Sequence, residues 1–85
     1  MKTIDHVIQA KTGMHARPAG MLAATAKKFK SSIIVKFGGK EASATKLFDL
    51  MKLAAKQNDT LQVCISGEDE DAAETAIKES LEKNF

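Results

Sequence analysis

The sequence predicts an α+β fold in which an antiparallel sheet carries its helices on one face. Apolar residues alternate in four segments and recur at helical spacing in three, in the order strand, helix, strand, strand, helix, strand, helix. A glycine pair joins the second and third strands directly, so the sheet cannot be all-parallel. A chain of 85 residues buries one modest core, and we expect a single domain over residues 1–85.

Four strands are predicted from the alternation of apolar and polar residues. They cover residues 3–9, 32–37, 40–43 and 60–66. In the second strand Ile33, Val35 and Phe37 share one face, and Gly38 and Gly39 then provide the positive φ angles of a tight hairpin turn. In the first strand the apolar row contains a histidine, His6, which we interpret as a partly buried structural residue.

Three helices are predicted from apolar residues three and four positions apart. The first begins at Ala16, the second is short and capped by Thr45, and the third begins in the acidic run 68–71, which we expect to be a solvated helix start. Their predicted inward residues are Ala19, Leu22, Ala23, Ala26 and Phe29 in the first, Leu47, Leu50, Met51 and Ala54 in the second, and Ala72, Ala73, Ala76, Ile77, Ser80 and Leu81 in the third.

Composition narrows the possible classes of protein. Hydrophobic residues are 44% and charged residues 28%, and a net charge of +2 is too small to indicate a nucleic-acid or membrane partner.

The sequence also predicts the location of the protein and the absence of certain sites. Without an apolar run of about 18 residues or a secretory leader, we expect no membrane insertion and a cytoplasmic location. The acidic run lacks the ligand spacing of a calcium loop, so we expect no metal site there. We also expect no cofactor. Cys64 is interpreted as a small buried hydrophobe.

The most informative segment is Thr12-Gly13-Met14-His15-Ala16-Arg17-Pro18-Ala19. It places His15 where a strand-to-helix turn ends, with Arg17 two residues later and Pro18 in the first helical turn. The unpartnered amides of a helix start bind phosphate, and a guanidinium adds a bidentate contact. The same positive field disfavours imidazolium, so His15 is predicted to be a neutral nucleophile. Spacing alone leaves open a second interpretation, a solvated capping histidine beside a surface arginine.

The run from Gly13 to Ala19 resembles the active-site motif of HPr, the histidine-containing phosphocarrier family of the bacterial phosphoenolpyruvate-dependent sugar phosphotransferase system (PTS). The resemblance extends over the whole chain, including the element order and the glycine hairpin. It implies an open-faced β-sandwich, a four-stranded antiparallel sheet with three helices on one face. It also implies a phosphoryl carrier in a relay, not a self-sufficient enzyme.

The resemblance further implies partners and residue roles. Enzyme I would donate the phosphoryl group to Nδ1 of His15, and sugar-specific EIIA domains would accept it. Thr12, Arg17 and the amides of Ala16 and Arg17 would hold the phosphate oxygens. We expect a monomer that binds these partners weakly and briefly.

A docking surface is predicted from surplus apolar residues on the second helix. Leu50 and Leu53 suffice for its core packing, which leaves other apolar side chains to meet partners beside His15. The predicted docking residues are Leu47, Phe48, Met51 and Gly20. Simple core packing of these residues is the competing interpretation.

Three positions depart from common HPr sequences. Lys46 stands where many Gram-positive members carry a regulatory serine, so that phosphorylation is not expected at this position. Gly20 replaces larger residues, and Ala54 replaces a frequent glycine. These departures bear on partner choice more than on phosphate chemistry.

Two other classes of function compete with this interpretation. A small RNA-binding module would need exposed aromatic residues interleaved with basic ones, and the chain has four Phe and no Tyr or Trp. A regulatory HPr paralogue that contacts transcription factors or enzymes remains an alternative. The presence of both His15 and Arg17 favours phosphoryl transfer.

Overall fold

The computed structural model describes residues 1–13 and 16–85. Its elements are β1 (Lys2–Val7), α1 (Ala16–Ala26), β2 (Ser32–Phe37), β3 (Lys40–Ser43), α2 (Leu47–Lys52), β4 (Thr60–Ser66) and α3 (Glu70–Asn84). This order confirms the predicted one, and the bounds of β2, β3 and β4 are those predicted. None of the described helices is long and apolar enough to cross a membrane.

The four strands form one antiparallel sheet in the order β1-β4-β2-β3. In the central strands Ile33, Val35 and Val63 are buried, whereas the alternate residues Lys36 and Gln62 are exposed. Because side chains alternate across a strand, one face of the sheet is apolar and covered while the other is open. The predicted open-faced β-sandwich is confirmed.

Helices α1 and α3 pack against each other and close the apolar face of the sheet. Helix α1 buries small residues such as Ala19 and Ala23, together with Leu22, and α3 buries Ile77 and Leu81. Small side chains let two helices approach closely. The start of α1 and the last turn of α3 lie at the same end of the molecule, where they line one cavity.

Three predicted element ends were wrong. Helix α1 ends at Ala26, so Phe29, which was predicted on its inward face, lies beyond the helix. Strand β1 ends at Val7, not at residue 9, because the next backbone groups bond outside the sheet: Ile8 N–H donates to the Asp59 carbonyl at 2.9 Å, and Gln9 N–H donates to the Phe85 carbonyl. Helix α2 ends before Ala54, which has a φ of 56° and so lies in the left-handed region.

Three predicted side-chain placements were also wrong. Thr45 does not cap α2; Lys46 occupies the N-cap position without a capping side chain, and the Thr45 hydroxyl is bonded to that of Ser43 at 2.9 Å. Ala72 is exposed because the buried stripe of α3 passes through the next residue instead. Cys64 is half-buried on the open face of the sheet, because it alternates with the core residues of β4.

Candidate functional site

The loop that leads from β1 to α1 is fixed by main-chain hydrogen bonds. The carbonyl oxygen of Phe85 accepts from the Gln9 and Ala10 amides, the latter at 3.0 Å. The Gln57 side-chain amide donates to the Gln9 carbonyl at 3.2 Å, and the Gly13 amide donates to the Ala10 carbonyl at 3.0 Å. The loop is therefore tied both to the end of α3 and to the loop before β4.

Gly13 determines how closely this turn approaches the rest of the molecule. Its φ is 63°, and a Cβ at this position would lie 2.5 Å from the carbonyl oxygen of Ala55 and 2.8 Å from the Cα of Lys56. Only glycine fits a contact this close in a left-handed conformation. The turn before α1 thus rests directly on the backbone that follows α2.

Helix α1 presents an open amino terminus directly after the turn. Ala16 and Arg17 are exposed, whereas Pro18 is buried and anchors the first turn. The first amides of a helix have no internal acceptors, and this first turn contains no acidic residue of its own. The described start of α1 therefore offers free donors, the positive end of a helix dipole and the Arg17 guanidinium to an anion.

The predicted phosphate-site residues fall into two groups. Thr12 and Arg17 line the same small cavity at the start of α1. His15 lies outside the described residues, as does Met14. The role of His15 therefore stays a prediction.

The predicted docking residues differ in exposure. Phe48 is 76% exposed, which is high for a large apolar side chain, whereas Leu47 and Met51 are half-buried against the core. Gly20 is half-buried, and a Cβ there would meet none of the described atoms within 4 Å. The expectation that Leu50 and its neighbour Leu53 supply the core of α2 is confirmed by their burial.

Met21 is an exposed apolar residue that was missing from the predicted docking set. It is 51% exposed on α1, and α1 packs against α2, the helix that carries Phe48. Its position off the inward stripe of α1 was a usable signal, since an apolar side chain outside that stripe has no core to enter. Exposed Met side chains suit surfaces that meet several partners.

Other candidate residues were found to lie apart from this site. His6 is half-buried, as predicted, and its Nε2 has no hydrogen-bond partner among the described residues. No cluster of potential metal ligands occurs within ranges 1–13 and 16–85. Lys46 is exposed at the N-cap of α2 and carries no hydroxyl group to modify.

The fold and the open helix start are those of a small phosphoryl-carrier domain. Residues 2–83 match the family model described as PTS HPr component phosphorylation site. The chain belongs to the HPr family of PTS phosphocarriers, as the sequence motif predicted.

Relatives and solved structures agree with this membership. The chain is 42% identical to phosphocarrier protein HPr of Mycoplasma genitalium over 85 residues, 99% of this chain and 97% of the relative. It is 45% identical to HPr of Haemophilus influenzae over 73 residues, 86% of each chain. The crystal structure of HPr-C-His from Thermoanaerobacter tengcongensis superposes with a TM-score of 0.92 at 35% identity, covering 100% of this chain and 96% of the other.

Proposed function

We propose that this chain accepts a phosphoryl group from phosphorylated Enzyme I on His15 and passes it to sugar-specific EIIA domains. The observation that carries the proposal is the open start of α1 directly after position 15, with Ala16 and Arg17 exposed and no carboxylate in the first turn. A phosphoryl group attached there meets free amides, a helix dipole and a guanidinium.

The chemistry needs no group beyond the two proteins. The lone pair of the neutral His15 imidazole attacks phosphorus, a nitrogen–phosphorus bond forms, and the bond between phosphorus and the donor residue of Enzyme I breaks. The donor residue keeps the electron pair of the broken bond. In the second half of the relay an EIIA nucleophile attacks the same phosphorus, and His15 leaves as neutral imidazole. The amides of Ala16 and Arg17, the Arg17 guanidinium and the Thr12 hydroxyl hold the phosphate oxygens throughout.

Partners dock on the apolar surface next to this helix start. Phe48 and Met21 provide exposed apolar area, Leu47 and Met51 extend it toward the core, and Gly20 leaves room for a partner side chain. A few exposed apolar residues support weak and brief binding, which a carrier with several partners requires. The chain works as a monomeric single domain in the cytoplasm, where it meets Enzyme I and the EIIA domains without entering a membrane or binding nucleic acid.

The proposal is tested by incubating the protein with phosphoenolpyruvate, Enzyme I and magnesium, followed by intact mass measurement. The protein gains one phosphoryl group, labile in acid and stable in base. His15→Ala abolishes the labelling, and His6→Ala, the matched control at the other histidine, is labelled like the wild type. Labelling that survives in His15→Ala would contradict the assignment.

A further inference from the structure

A small cavity beside the start of α1 joins residues from opposite ends of the chain. Its volume is about 200 Å³. It is lined by Thr12 from the turn, Arg17, Pro18 and Met21 from α1, and Lys83 and Asn84 from the last turn of α3. The cavity thus places a second cationic side chain, Lys83, beside Arg17.

The last turn of α3 is held firmly against the loop that carries Thr12. The Phe85 amide donates to the Leu81 carbonyl at 2.8 Å, and the Phe85 carbonyl accepts from the Gln9 and Ala10 amides. The Phe85 side chain is buried in the core. Lys83 therefore projects from a backbone whose position relative to Thr12 is fixed.

The groups around the cavity suit an oxyanion. None of the described residues that line it is acidic, and the ion pairs found in the described ranges involve other cations: the amino terminus, Lys2 and Lys52. The amide nitrogen of Asn84 is already bonded to the Ser80 carbonyl at 3.0 Å. The remaining donors are the Thr12 hydroxyl, the Arg17 guanidinium and the Lys83 ammonium group.

We propose that Lys83 is a second cationic residue of the phosphate site and acts with Arg17 on the oxygens of a phosphoryl group or free phosphate. Where the ligand is the phosphoryl group on His15, the inference rests on the proposed function. The negative charge of phosphate spreads over several oxygens, so it can interact with two cations at once. Lys83 contributes its positive charge to the site and forms no bond to phosphorus.

A purely structural role for Lys83 makes a different prediction. A lysine in the last turn of a helix offsets the negative end of the helix dipole, and its loss then lowers stability without changing anion affinity. A role in the phosphate site requires anion affinity to change. It also requires the effect to depend on charge, so that an arginine at position 83 preserves the anion affinity.

The first experiment follows the binding of inorganic phosphate at low ionic strength by NMR titration of the backbone amides. Lys83→Gln weakens binding about fivefold, the factor expected when one unit charge about 4 Å from another is lost in water. Lys83→Arg binds like the wild type, and so does Lys78→Gln, which removes the same charge from α3 away from this cavity. Unchanged affinity in Lys83→Gln, or no saturable binding to the wild type, would overturn the inference.

The second experiment distinguishes the two sources of phosphate. The equilibrium constant for phosphoryl transfer from phosphorylated Enzyme I falls about fivefold in Lys83→Gln and is restored in Lys83→Arg. Weaker phosphate binding with an unchanged transfer equilibrium would overturn the role with the phosphoryl group and restrict the site to free phosphate. If the wild type accepts no phosphoryl group at all, the proposed function fails, whereas the phosphate titration still decides the role of Lys83.

Discussion

The carboxylate of Asp69 joins the start of α3 to the segment before β2 through Ser31. Its Oδ1 accepts hydrogen bonds from the Ser31 amide at 2.9 Å and from the Ser31 hydroxyl, and its Oδ2 accepts from the Lys30 amide at 2.8 Å. These hydrogen bonds lower the pKa of Asp69 below its ordinary value. The bond from the Ser31 hydroxyl has the largest effect, followed by the bond from the Lys30 amide. The Asp69 side chain therefore connects the start of α3 to the segment before β2, whereas the acidic run 68–71 was expected to be a solvated helix start.

The stability of Asp69→Asn is expected to depend less on pH in the acidic range than the stability of the wild type. Because the pKa of Asp69 is lowered in the folded protein, its stabilising contribution is present above the unfolded pKa of about 3.9 and is lost as pH falls through the folded value. Thermal unfolding should give Asp69→Asn a lower melting temperature than the wild type at pH 7. The difference should shrink as the pH falls below about 4.

The exposed neighbour Glu68 provides the control for this prediction. Glu68→Gln removes a carboxylate from the same segment and should change the melting temperature little at either pH. A gap between wild type and Asp69→Asn that stays constant down to pH 2 would contradict a role for the ionised carboxylate.

The strands and the start of α1 could be predicted because their signals are local. Alternation and the Gly38-Gly39 pair lie within the segments they define, and β2 and β3 have the predicted bounds. The phosphate-site segment is local in the same way, since Arg17 follows the turn by a few residues. The end of β1 and the tertiary contacts of Asp69 were missed because their partners lie far along the chain.

Distant contacts explain these two misses. Asp69 bonds to Ser31 across 38 positions, and Gln9 leaves the strand to bond to Phe85 near the other end of the chain. No periodicity encodes either pairing. Lys83 likewise reaches the cavity at Arg17 only through the packing of α3 on α1. Thr12 and Arg17 are close in sequence, so their proximity could be predicted, whereas the position of Lys83 near them depends on packing.

Ala54→Gly is expected to stabilise the protein. Ala54 has a φ of 56°, a conformation that costs a residue with a Cβ about 1 to 2 kcal/mol and glycine almost nothing. Part of this gain is offset by the greater freedom of glycine in the unfolded chain, which leaves about 0.5 to 1 kcal/mol. The melting temperature should rise by about 2 to 8 °C in a thermal unfolding experiment.

The same substitution at an ordinary helical position provides the comparison, with the opposite expected effect on stability. Ala72 is exposed within α3, and Ala72→Gly should lower stability by about 1 kcal/mol, the usual cost of glycine in a helix. If both variants lower the melting temperature alike, the conformation of Ala54 carries no strain.

Gly20→Ala is expected to raise stability but to slow transfer between proteins. Gly20 is helical, and a Cβ would meet none of the described atoms within 4 Å, so alanine should gain about 0.5 to 1 kcal/mol from helix propensity. If Gly20 leaves room for a partner side chain, the added methyl group raises the apparent KM toward Enzyme I several-fold. Increased stability with an unchanged KM would remove Gly20 from the docking surface.

Phe48→Ala is expected to affect docking far more than folding. Phe48 is 76% exposed, so truncation should lower the free energy of unfolding by no more than about 0.5 kcal/mol. A docking residue becomes buried mainly in the complex, and the apparent KM toward Enzyme I or an EIIA domain should therefore rise several-fold. The control is Leu50→Ala in the same helix: Leu50 is 0% exposed, and its truncation should cost about 2 to 5 kcal/mol. Folded Leu50→Ala, measured well below its melting temperature, should transfer with a nearly normal KM because Leu50 does not reach the surface. A Phe48→Ala variant that unfolds as readily as Leu50→Ala, yet transfers normally while folded, would place Phe48 in the core and contradict the docking surface.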